Sequence, residues 1–340
     1  MKPFVIAALL LGAAPAIAND TTSQLGTGGL LFVTNENVSM DSEDLSISAD
    51  KVSVVYRFTN KGTADDNVLV AFPLPDITGD GDFMVAIPDE DEQNLFGFTT
   101  SFDGKPVRST LHQYAFAFGV DQTALLTSLG VPLPPFGAAT QQALNALSDA
   151  DHQRLMHLGL VIPMEYDDGS GWKTDYTPVW TLKSTYTWEA NFPAGKTVEV
   201  RHAYTPSVGG TVATTFLAPP YDATDEDRPR IYKEKYCTDD TLLKTLQTSL
   251  RDKSDLYSAP YFENWITYIW STGANWSGPI GKFHLTIDKG DTKNLVSFCW
   301  DGKVQKTGPT TFEMTADDWY PPPHELEILL LKHQDGDQAQ

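Results

Sequence analysis

The stretch Lys51-Val52-Ser53-Val54-Val55-Tyr56-Arg57-Phe58 decides the fold class. Val52, Val54, Tyr56 and Phe58 recur at every second position, so an extended chain gathers one apolar face and leaves the other wet. The pattern continues outward on both sides. Leu45-Ser46-Ile47-Ser48-Ala49-Asp50 alternates before it, and Asn60-Lys61-Gly62 supplies a turn before Val68-Leu69-Val70-Ala71-Phe72. Alternating β-branched and aromatic residues broken by Asn and Gly mark antiparallel sheet, so the first part of the chain is predicted to be mostly strand.

Further along, Phe96 to Phe102, the Asp103-Gly104 turn and Lys105-Pro106-Val107-Arg108 read as a hairpin. The period then changes. From Thr123 to Leu129 and from Ala138 to Leu160 apolar residues recur at helical spacing, Pro132, Pro134 and Pro135 separate the pieces, and Ser148-Asp149 caps a third helix. Strands resume at Trp180 to Trp188. With the Phe192-Pro193-Ala194-Gly195-Lys196 turn and Thr197 to Tyr204, they read as a second hairpin.

The acidic, Pro-rich segment 219–229 is read as a domain boundary, and Thr238 to Lys253 as a short helix with Asp239 and Asp240 suiting its dipole. The expected class is mainly β: an antiparallel β-sandwich-like N-terminal domain over 19–222 with a helical insertion at about 121–162. A smaller C-terminal β domain with a short helix follows over 223–333, and 334–340 reads as a flexible tail.

The chain opens Met1-Lys2, runs apolar from Phe4 to Ala14 and reaches Ala16-Ile17-Ala18. This three-part pattern predicts a secretory signal peptide over 1–18, cleaved after Ala18; the apolar run is too short for a stable span, and the alternative is an uncleaved tether. No later run is long enough to cross a bilayer, so the expected location is periplasmic or secreted, with no transmembrane segment after processing. The 24 Lys and Arg stand against 45 Asp and Glu; removing Lys2 with the leader leaves 23 − 45 = −22. That balance argues against nucleic acid and anionic lipid as partners. An oxidising compartment makes a bridge between the two cysteines, Cys237 and Cys299, the expectation, with two buried thiols as the alternative.

The same residues carry a resemblance. Asp20-Thr21-Thr22-Ser23, Leu25-Gly26-Thr27-Gly28-Gly29-Leu30, Ser42 to Asp50 and Ala71-Phe72-Pro73-Leu74-Pro75-Asp76-Ile77 resemble an exported bacterial family of unknown function, family 4424. Thr272 to Ile280 and Val296 to Lys303 fit it as well. The resemblance implies export and a full-length unit, and brings no activity or catalytic residues with it. Asp80-Gly81-Asp82 is richer in Asp and Gly than that pattern.

Several motifs bear on chemistry. Asp76, Thr78, Asp80 and Asp82 place oxygens at positions one, three, five and seven with Gly81 at six, as a calcium loop does, but position twelve is Ile87 instead of the bidentate Glu. Calcium is the one cofactor candidate, and an acidic turn is the competing reading. Ser48-Ala49-Asp50-Lys51 matches an acyl-enzyme signature in a strand context that separates Ser from Lys. His152 and His157 sit five apart, off the spacing that stacks two ligands on a helix, and read as solvated. Trp265, Tyr268, Trp270 and Trp276 lie in an aromatic-rich stretch where exposed rings would suit stacking on sugars or peptides and make these residues the ligand-binding candidates, although core packing is the favoured reading of the rings.

The leading expectation is a non-catalytic exported binding module for a protein or glycan envelope component. A hydrolase using paired carboxylates such as Asp317-Asp318 or Asp167-Asp168 stands second, and an envelope scaffold third.

Overall fold

The computed structural model describes residues 19–26, 29–79, 85–86, 94–219 and 226–334. The predicted alternation is realised in Val52–Asn60, whose Val52, Val54, Tyr56 and Phe58 are buried while Arg57 is exposed. This strand lies inside an eight-stranded sheet, next to Val38–Ile47 on one side and Thr197–Tyr204 on the other. Facing it is a seven-stranded sheet built around Asp66–Pro73 and Thr181–Phe192. Side chains from both inner faces, Tyr56 and Phe58 from one and Phe72, Trp188 and Phe192 from the other, form one core cluster. The mainly β, sandwich-like class is therefore as expected, and apolar burial of about 1.5–3 kcal/mol per large side chain holds it together.

The Pro193-to-Lys196 turn departs from the expected hairpin. Thr181–Phe192 pairs with Thr110–Ala117 and Asp66–Pro73, whereas Thr197–Tyr204 pairs with Val52–Asn60 and Thr99–Phe102. The turn therefore carries the chain across the sandwich. Fully buried Asn60 pins this corner: its Nδ2 donates to Phe192 O at 2.7 Å, its carbonyl accepts from Gly195 N at 2.9 Å, and its N–H donates to Lys196 O at 3.1 Å.

The expected boundary at 222/223 also needs correction. Ile280–Asp288 pairs in parallel with Val38–Ile47, and Thr311–Trp319 extends the same eight-stranded sheet. Trp270, Trp276, Phe283 and Leu285 belong to the core cluster that holds Tyr56 and Phe72. A third, five-stranded sheet, including Val208–Thr211, Tyr261–Tyr268, Leu295–Phe298 and Leu326–His333, likewise draws strands from both sides of 222. The parallel partner lies more than two hundred residues away, so no local signal marks it.

The segment read as a helical insertion holds the helices Thr123–Ser128, Ala138–Asn145 and Asp149–His157. Ser148 caps the third, its Oγ accepting from Asp151 N at 3.2 Å. The helix Asp240–Ser249 is capped by Asp239, which accepts from Leu242 N at 2.7 Å. An additional helix, Arg228–Tyr236, starts where the Pro-rich boundary was read, with Pro229 in its first turn. The disulfide Cys237–Cys299 joins the end of that helix to the segment after Leu295–Phe298. Among the described residues, no helix is long and apolar enough to cross a membrane.

Candidate functional site

The candidate aromatic platform of Trp265, Tyr268, Trp270 and Trp276 does not present these rings to solvent. Tyr268, Trp270 and Trp276 are almost wholly buried. Trp276 lies 4.4 Å from Phe58 between ring centroids, and Trp270 Nε1 donates to His324 O at 2.7 Å. Half-buried Trp265 donates its Nε1 to Glu263 Oε2 at 3.1 Å, a carboxylate that also accepts from Tyr232 OH and from Thr215 Oγ1 at 3.0 Å. The strand Tyr261–Tyr268 directs alternate residues inward, and the sandwich consumes the rings as packing. Of the eight tryptophans, Trp172 is the most exposed, at 78 %.

Two of the four calcium-loop residues are engaged elsewhere. Asp76 pairs with Lys183, and Thr78 Oγ1 lies 2.9 Å from Thr181 Oγ1. Asp80 and Asp82 lie outside the described residues. Among the described residues no group of three or more His, Cys, Asp or Glu is placed to hold a metal ion. Ser48 and Lys51 form a tight turn, Ser48 N donating to Lys51 O at 2.9 Å.

One exposed apolar feature, a two-stranded arm, was not anticipated. Val161–Asp167 and Trp172–Pro178 pair with each other in register from Val161↔Pro178 to Asp167↔Trp172 and, among the described residues, share no ladder with another sheet. Alternation places Ile162, Met164 and Tyr166 on one face of this arm and Trp172 on the other, all exposed. The Asp167-Asp168 pair makes the tip: Asp167 Oδ1 accepts from Gly169 N at 2.8 Å, and Asp168 pairs with Lys173. These two carboxylates build a turn, and Asp317 stands opposite Lys282 on another strand.

The helical insertion roots the arm. His152, expected to be solvated, is buried; its ring stacks on Tyr176 at 3.6 Å, and its Nε2 lies 2.8 Å from Leu144 O. Asn145 Nδ2 donates to Asp175 Oδ1 at 3.0 Å. Beside the root, Phe118 is 90 % exposed and covers Gly159, where a Cβ would fall 2.1 Å from the ring and φ is +66°. An isolated two-stranded hairpin is marginal in water, so these anchors hold the arm out from the body.

A concavity of about 540 Å³ lies beside the disulfide and is lined by Glu234, Lys235, Trp270, Cys299, Glu325 and Glu327 among others. Burial, then the charges of Glu327 and Asp76, push the Glu325 carboxyl up to about 8, and its Oε2 is buried without a hydrogen-bond partner among the described residues. Glu327 Oε2 accepts from Thr267 Oγ1 at 2.8 Å and lies 3.5 Å from Lys235 Nζ. The cleft thus presents a carboxyl that is protonated at neutral pH and a paired carboxylate beside an indole. Such a set can donate to a neutral polar group or act as a general acid.

A family profile described as "Domain of unknown function (DUF4424)" matches residues 18–329. The chain belongs to this family. No curated protein matches it. Among solved structures, a "putative nutrient binding protein" from Legionella pneumophila is 14 % identical with a TM-score of 0.44, covering 94 % of this chain and 71 % of that one. An M1 zinc metallopeptidase from Deinococcus radiodurans is 9 % identical with a TM-score of 0.26, covering 87 % of this chain and 43 % of that one. At these identities and scores neither likeness carries an argument about activity.

Proposed function

We propose that the protein is an exported, non-catalytic binding module that engages an envelope protein through its projecting arm. The observation that carries this reading is the arm itself: Ile162, Met164, Tyr166 and Trp172 are exposed on a hairpin that, among the described residues, pairs with no other sheet. Leaving four large apolar side chains in water on a rigid projection is costly unless a partner covers them. The leader pattern of residues 1–18 supports the envelope as the place where that partner is met. A photo-crosslinking residue at position 164 in intact cells tests it: a discrete adduct is expected there and none from exposed position 244 on the far helix. Equal labelling from both positions, or none from 164, refutes the arm as the binding element.

The Glu325 cleft favours a second reading, a hydrolase acting on an envelope polymer. A carboxyl held near 8 beside a second carboxylate has the protonation split that general acid–base pairs use. Glu325→Gln abolishes turnover of such a polymer under this reading and leaves partner crosslinking at position 164 intact.

A further inference from the structure

Asn19 and Asp20 lie in the interior, both fully buried. Asn19 Oδ1 accepts from Tyr56 OH, and Asn19 Nδ2 donates to Glu43 Oε2 at 2.9 Å. The Asn19 main-chain N–H donates to Thr272 Oγ1, which in turn donates to Asn19 O at 2.6 Å. Asp20 Oδ1 lies 2.9 Å from His202 Nε2, and Asp20 O accepts from Trp276 Nε1 at 2.5 Å. The 3-10 turn Ser271–Asn275 closes over Asn19. A Cβ on Gly273 would lie 2.8 Å from Asn19 Nδ2, which is why that turn carries a glycine.

Two carboxylates share this enclosure, and the charges facing them do not balance. Among the described residues, the titratable groups acting on Asp20 and Glu43, besides each other, are Tyr56, Tyr268 and His202, with no Lys or Arg among them. Among the described residues, Asp20 Oδ2 and Glu43 Oε1 are both buried with no hydrogen-bond partner. Burial raises the Asp20 carboxyl and pushes that of Glu43 up to about 8, as expected for acids lacking a full counter-ion. Unpartnered buried carboxylate oxygens are costly, and native cores rarely keep them without a reason.

Asn19 is also the residue that the leader pattern places first in the processed chain. We propose that hydrolysis of the Ala18–Asn19 amide frees an α-ammonium that stays buried here as counter-ion to the Asp20 and Glu43 carboxylates, so that leader removal completes the core. Water adds across the amide through a leader peptidase. The new carboxylate departs on Ala18, and the Asn19 nitrogen takes up protons to become an ammonium. It then carries three donors where the amide carries one. One already serves Thr272 Oγ1, and the two gained match in number the unpartnered oxygens of Asp20 and Glu43. The ammonium belongs to the chain itself, so its binding needs no free ligand.

This inference rests on the leader reading, and the test separates the two. Protein exported through its own leader is analysed by intact mass and N-terminal sequencing, then treated with an amine-reactive ester in its native state. Asn19 is expected as the first residue, with its amine unlabelled while exposed Lys51 and Lys61 react, and labelled once guanidinium unfolds the chain. Inserting one Gly between Ala18 and Asn19 displaces the ammonium and is expected to lower Tm by about 4–7 °C, as loss of a buried charge partner does in a chain of this size. Glu43→Gln shrinks that difference. A chain that retains its leader or starts elsewhere refutes the leader reading. A chain that starts at Asn19 but labels natively as fast as Lys51 overturns the buried ammonium, as does an inserted Gly that leaves Tm unchanged; where the Gly variant does not fold, the labelling result decides.

Discussion

Replacing both cysteines by serine tests how the segment after residue 222 is held to the body. The bridge joins positions separated by 62 residues, and the loop-closure relation gives an entropy of about 2.1 + 1.5R ln 62 ≈ 14 cal/mol/K, or about 4 kcal/mol at 25 °C. About 320 residues unfold together if the shared core makes the transition cooperative, and at about 2.1 cal/mol/K per residue the unfolding entropy is about 0.7 kcal/mol/K. The double variant Cys237→Ser/Cys299→Ser is therefore expected to melt about 6 °C lower by calorimetry. Its unfolding should stay a single transition, because Trp276, Phe283 and Leu285 pack in the same cluster as Tyr56 and Phe72. Two separate transitions would refute the single shared core. A loss below about 2 °C would refute constraint of the unfolded chain as the origin of the bridge's contribution. Alkylation of the wild type without reductant should leave its mass unchanged.

Two further outcomes follow from the interior and from the cleft. Trp276→Ala removes a fully buried ring packed on Phe58 and Phe192 and leaves Asp20 O without its donor, so urea unfolding should show a loss of about 3–5 kcal/mol. Glu325 titrates near 8, so the fluorescence of Trp270 in the cleft wall should show a step there that moves down in Glu327→Gln, where one repelling charge is gone; no step between pH 7 and 9 would refute the assignment. The sign for stability follows from the same shift. A carboxyl raised above its unfolded value of 4.5 contributes fully below that pH and loses its contribution as pH rises through about 8, so Glu325→Gln should flatten the decline between them, modestly because the group is partly solvated.

What the sequence disclosed and what it concealed divide along a physical line. The strand at Val52–Asn60, the Asp103-Gly104 turn and the Ser148 cap were legible because each depends on residues within a few positions of one another. The Pro193-to-Lys196 turn was misread because a tight turn has the same composition whether the next strand pairs with the last or crosses to the facing sheet. Parallel pairing of Ile280–Asp288 with Val38–Ile47 has no local signature at all. The arm was findable: Ile162, Met164 and Tyr166 alternate, and Gly169 and Gly171 take φ of +89° and +124° in its turn. Its start overlapped the helical insertion that now proves to be its root. The polar centre at Asn19, Asp20 and Glu43 was hidden by its own chemistry, since three polar residues give no burial signal. Glu325 owes its shift first to burial, which no neighbouring residue in the sequence signals, and then to the charges of Glu327 and of Asp76, the latter distant in sequence.

The most direct test of the binding reading is the affinity of the partner crosslinked at position 164 for the wild type and for the variant Ile162→Ser/Met164→Ser/Trp172→Ser, with Tm measured on both. These side chains are exposed, so the fold should hold within about 0.5 kcal/mol per site, while loss of an interface anchor worth about 2 kcal/mol or more weakens binding about 30-fold or beyond. An unchanged Kd with an unchanged Tm would contradict the account, and the arm would then have no part in recognition.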